Sequence, residues 1–160
     1  MIIAAVGDGA YKFVLLLHIL TAIIGVGGLA MGWAHDTVAR RQGGQAGAAI
    51  LDAELRSGSS VPIRALYVLP FLGIALIVLS DDFFSMGDMW VSASFVVYVA
   101  IIGVYHGMIR PARKMVRDMM VTGGSAGESE AVLRRATTGT WILNGLLVVA
   151  LYLMIWKPGL

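Results

Sequence analysis

Three histidines, nine methionines and no cysteine define the chemistry this chain can offer. Imidazole and thioether ligands are present, whereas thiolate metal sites, disulfides and cysteine nucleophiles are excluded. His18 stands six residues past Lys12, about 9 Å below that charge at 1.5 Å rise per residue. On a helix His18, Thr21, Gly25, Gly28, Gly32 and His35 fall within about 100° of arc, one face. That face has two readings. In the first, His18 ligates a flat cofactor such as haem and Gly25, Gly28 and Gly32 leave room for it. In the second, Gly28 and Gly32 form a small-xxx-small packing contact and His18 hydrogen-bonds a neighbouring helix. His35, beside Asp36, reads as a solvated histidine at the mouth of the segment.

His106 lies four residues before Arg110, between Gly103 and Gly107, a second small-xxx-small pair. Asn144 shares a face with Thr137, Thr140 and Trp141. A hydrogen bond between His106 and Asn144, direct or through water, is the structural reading of that pair. His18 and His106 do not suit one bis-histidine haem, because their depths differ by roughly 16 Å before tilt. A metal reading gathers His18, Met86, Met89 and Met154, since thioether and imidazole together suit Cu(I). Most methionines in such a chain fill core space. Arg64 and Tyr67, one turn apart, could contact an anion or a lipid headgroup.

No hydrolase or transferase motif is present. The glycines of 123–127 lack the Lys-Ser/Thr that completes a phosphate-cradling loop. No carboxylate sits deep in an apolar segment, which argues against a proton-coupled transporter.

The elements that must position these residues follow from composition. Of 160 residues 58% are hydrophobic and only 14% charged, and the mean hydropathy is +0.82. A soluble domain carries about 25% charge, so this chain cannot clothe a globule in polar surface. Disorder is excluded by the same composition. A net charge of +2, with the bases confined to loops, excludes a nucleic-acid binder. Four stretches hold no Asp, Glu, Lys or Arg: 13–35, 65–80, 89–109 and 136–156. Each matches, or nearly matches, the roughly 20 apolar residues a membrane helix needs. The second extends backward through Pro62, with Arg64 snorkelling to the interface. The expected architecture is all-α: an integral membrane four-helix up-down-up-down bundle in one domain, 1–160. Its spans are 12–35, 62–80, 89–110 and 136–156, and its cytoplasmic loops are 36–61 and 111–135.

Ten of the twelve bases lie in or beside those two loops, leaving Lys12 and Lys157 opposite. The opposite side carries Asp8, Asp81, Asp82 and Asp88. By the positive-inside rule both termini face out of a bacterial-type inner membrane. The N-terminal segment reads as the first span rather than a leader, since it lacks a basic start and carries Asp8. A short interfacial helix is expected over 46–55, and a kink at Pro111 where the third span runs on toward 113–120.

The opening Lys12-x5-His18-x3-Ala22 with Gly25 and Gly28, and the ending Leu153-Met-Ile-Trp156-Lys157-Pro158-Gly159, resemble the domain of unknown function 2269 family of predicted integral membrane proteins. That resemblance covers nearly the whole chain and implies no established activity. The first helix is also distantly similar to those of HemJ-type protoporphyrinogen oxidases and CopD-type copper-resistance proteins. The HemJ resemblance implies b-type haem at His18 and oxidation of a porphyrinogen; the chain lacks the Pro-Arg segment of those first helices after Gly28. The CopD resemblance implies copper or small-solute handling near the outer face. The expectation is a non-enzymatic accessory or self-associating subunit in the lipid bilayer, as a homo-oligomer or in a larger complex. The alternatives are a haem-binding redox protein centred on His18 and a copper or small-solute permease.

Overall fold

The computed structural model describes residues 8–56, 61–123 and 126–159. Asp8 starts the first helix by accepting a hydrogen bond from the Gly9 amide at 2.6 Å, which satisfies one of the unpaired donors of the first turn. Helix α1 then runs Gly9–Gln42. It is π-helical over Ile23–Gly27 and makes a brief turn at Met31. Gly43 and Gly44, both at positive φ, reverse the chain, a backbone conformation that a side chain would strain. Helix α2 (Gly44–Arg56) follows. Next come α3 (Val61–Val78), α4 (Met89–Thr122) and α5 (Ala126–Trp156). The described residues are helical and turn, and four of the helices are long and apolar enough to cross a membrane.

Three buried clusters stack along the bundle. At the end where α1 begins and α5 finishes, Tyr11, Leu76, Phe84, Trp90 and Val91 pack together. The Phe84 and Trp90 rings meet edge-on at 5.3 Å, and the Lys157 ammonium sits 4.3 Å over Phe84. The middle cluster joins Ile63, Leu66, Ile101, Ile109, Leu143 and Leu147 from three spans, with Val26 and Leu29 of the fourth against it. At the opposite end, which holds the long connections, Ala39, Leu51, Val116 and Leu133 form the third. Outward-facing side chains such as Phe71, Val78, Val96 and Val148 are exposed apolar groups, as lipid-facing positions must be.

Two expectations about the loops are sharpened. Helix α2 docks its Ala48 and Leu51 against the ends of α1 and α4, so it belongs to the bundle rather than lying alone. Burying a leucine as fully as Leu51 is worth about 1.5–3 kcal/mol. Helix α4 is continuous through Pro111, and its irregularity is a π-helical segment, Tyr105–Ile109, just before the proline. Proline lacks an N–H and crowds the carbonyl four residues earlier, here Gly107. Widening the helix by one residue relieves that crowding, and Arg135 donates an Nη2 hydrogen bond to the Gly107 carbonyl at 3.3 Å.

Candidate functional site

The glycine face of α1 is occupied by protein. A Cβ at Gly25 would stand 2.9 Å from the Leu66 backbone nitrogen of α3. One at Gly28 would overlap the Pro62 ring, and one at Gly32 would overlap the Arg113 guanidinium. Glycine is what lets α1 and α3 approach so closely. His18, at the upper end of that face, is half-buried against α3, with its Cε1 3.5 Å from the space a Cβ at Gly73 would fill. Its Nδ1 is buried and, among the described residues, meets no partner in good hydrogen-bonding geometry. A buried imidazole nitrogen is a ligand that iron could use, but a macrocycle lying along Gly25, Gly28 and Gly32 does not fit between α1 and α3. That space is filled by Pro62, Leu66 and Arg113.

The face ends in an ion pair that the sequence reading missed. Arg113 of α4 donates Nε to Asp36 Oδ1 at 2.7 Å and Nη2 to Oδ2 at 3.0 Å. Both side chains are buried, at 7% and 3% exposure. The fork geometry matches guanidinium to carboxylate, the arrangement in which a buried pair can offset its desolvation. The signal was present in the spacing: Asp36 follows Gly32 by one turn, so the glycine face continues to Asp36 rather than to exposed His35. By charge alone Arg113 is one of ten bases at the connection end, with nothing in its type to set it apart.

A second polar constellation surrounds the π-helical segment of α4. The Tyr67 hydroxyl of α3 and His106 Nε2 are 2.6 Å apart, their rings nearly parallel at 8°. Tyr105 meets the His106 ring edge-on at 5.0 Å. His106 therefore partners Tyr67, while Asn144 has a buried Oδ1 with no partner among the described residues, and Thr140 bonds to the Ala136 carbonyl of its own helix. The two residues sit at matching depth. Tyr67 lies three residues inside Arg64 and His106 four residues inside Arg110, about 5 Å and 6 Å from the charge boundary.

Beside His106 opens a groove of about 410 Å³ between α2 and α4, walled by Arg110, Lys114 and Arg117 and closed by Asp52 and Leu55. Arg117 is held in place by Asp52, with Nε at 2.9 Å, and by Asp118. Met86, Met89 and Met154, the thioethers of the copper reading, are exposed, and His18 faces α3. Among the described residues, no three of His, Cys, Asp or Glu gather as a metal centre would require. Chemically, the groove offers fixed cations and an oriented imidazole, which is equipment for holding an anion.

No curated protein and no solved structure matches the chain. A family model, described as a predicted integral membrane protein (DUF2269), matches residues 12–158. With four apolar helices of spanning length and a match over nearly all its residues, the chain belongs to that family of integral membrane proteins.

Proposed function

We propose that this protein is a non-enzymatic subunit of a bacterial-type inner membrane that self-associates through α4. Both termini lie outside and the long connections lie in the cytoplasm. The orientation rests on charge: ten of twelve bases sit at the connection end, and Asp8, Asp81, Asp82 and Asp88 at the other.

One observation carries the association. Gly103 and Gly107, one turn apart on α4, are exposed, and among the described residues a Cβ on either would meet nothing within 4 Å. Exposed Val96 and Val99 extend the same strip toward the terminal end. Gly25, Gly28 and Gly32, by contrast, are consumed by α3 and Arg113, and Gly139 of α5 by Ile109 of α4. In a bilayer, lipid tails are as apolar as leucine, so helices gain by close backbone approach rather than by burying apolar area. An open glycine pair offers that approach to a second copy of α4. The test is the stoichiometry of labelled full-length protein in bilayers, read by single-molecule photobleaching. Wild type should be dimeric or larger, and Gly103→Leu with Gly107→Leu should be monomeric with unchanged helix content. A wild type that stays monomeric at every protein density overturns the proposal.

A further inference from the structure

The groove beside His106 has a depth, a charge and a shape that together select a ligand class. Arg110 is the first charged residue after the charge-free stretch 89–109, so the groove opens at the level where the hydrocarbon core gives way to headgroups. Its walls carry three cations, Arg110, Lys114 and Arg117, against one carboxylate, Asp52. Asp52 and Asp118 already engage Arg117. Among the described residues, Arg110 and Lys114 have no ion-pair partner. One turn apart, they project into the same space. His106 lines that space with its ring fixed by Tyr67. When the Tyr67 hydroxyl donates to Nε2, the ring's own proton sits on Nδ1 and makes the imidazole a further donor. The volume, about 410 Å³, exceeds what a bare inorganic anion fills and falls within the range of small-ligand sites.

We infer that this groove binds a phosphate-bearing anion, the phosphodiester headgroup of an anionic membrane lipid, with Arg110 and Lys114 as its charge-bearing contacts and His106 as an oriented polar contact. The inference is independent of self-association, because the groove lies between α2 and α4 of one copy. Arg64, exposed one turn before Tyr67 on α3, stands at the same depth as a second point of attachment for lipid.

The experiment is native mass spectrometry of full-length protein released from vesicles of phosphatidylcholine alone or doped with phosphatidylglycerol. In parallel, inorganic phosphate and glycerol 3-phosphate are titrated by calorimetry. Wild type should retain phosphatidylglycerol in preference to phosphatidylcholine. Arg110→Gln with Lys114→Gln should lose that preference by about tenfold or more, since each surface cation contributes several-fold to anionic-lipid affinity. Arg40→Gln with Arg41→Gln removes two exposed bases that do not line the groove and should bind as wild type. Tight binding of the soluble phosphates without a lipid preference, lost in the same double variant, also supports the site and makes the ligand a soluble phosphate. The inference is overturned if wild type distinguishes neither lipid nor phosphate, if Arg110→Gln with Lys114→Gln binds as wild type, or if both double variants lose binding equally.

Discussion

The π-helical segments of α1 and α4 use the same backbone device, one extra residue per turn, and put it to opposite ends. In Ile23–Gly27 the widened turn is shut: Gly25 is buried, with the α3 backbone pressed against it. In Tyr105–Ile109 the turn is open on one side. Gly107 has nothing within 4 Å of its missing Cβ, His106 lines a polar groove, and the Gly107 carbonyl accepts from Arg135. A π segment is therefore not itself a sign of a site. Its neighbours decide whether the irregularity is absorbed by packing or presented to a ligand. Arg113 lies on the same helix as the open segment, yet serves the closed face by reaching Asp36.

The largest expected break in this contrast is at that ion pair. Arg113→Ala leaves Asp36 buried without its counter-charge and should destabilise the bundle by about 3–5 kcal/mol. Denaturant unfolding of detergent-solubilised protein measures it. Asp36→Ala should cost a comparable amount. Replacing both residues with apolar side chains of similar volume should restore much of the loss, because the expense lies in the unpaired charge rather than the missing bond. Single variants that unfold as wild type would show that the closed face does not depend on the pair.

Next in size is a matched pair of substitutions at the two π segments. Gly25→Ala places a methyl 2.9 Å from the Leu66 nitrogen, so α3 must shift, a kind of overpacking that costs about 1–3 kcal/mol. Gly107→Ala meets nothing within 4 Å among the described residues of its own copy, and in detergent that holds the protein as a monomer it should be neutral or stabilising, by up to about 1 kcal/mol, through helix propensity. Thermal unfolding of the two variants side by side gives the comparison directly. Equal losses at both positions would erase the distinction between a shut and an open segment.

What the sequence made legible was whatever recurs along one chain segment. The four apolar runs set the spans, and the helical repeat of Gly25, Gly28 and Gly32 set a face. What it did not make legible was which segment lies opposite. Nothing local to Arg113 distinguishes it from Lys114, yet one residue's rotation sends Arg113 inward to Asp36 and leaves Lys114 on the groove wall. His106 and Asn144 are both polar and near the same end, which by sequence suggests a pair. The actual partner of His106, Tyr67, lies 39 residues away and required knowing that α3 and α4 meet at that depth.

The smallest predicted effect probes the open segment by itself. Tyr67→Phe removes the hydroxyl from His106 Nε2 and leaves the ring in place. The pair lies at an exposed rim, where water can take the vacated position, so the stability loss should be about 1 kcal/mol, the net worth of one hydrogen bond. The informative readout is therefore local. The imidazole ¹⁵N resonances of His106 should move as Nε2 exchanges a phenol for water, while those of His18 stay fixed. Because Tyr67 holds the ring rather than touching a bound anion, lipid retention should weaken only a few-fold, less than on loss of Arg110 and Lys114. A destabilisation of the size expected for Arg113→Ala would place this hydroxyl in the closed core, and the two π segments would then differ in sequence but not in kind.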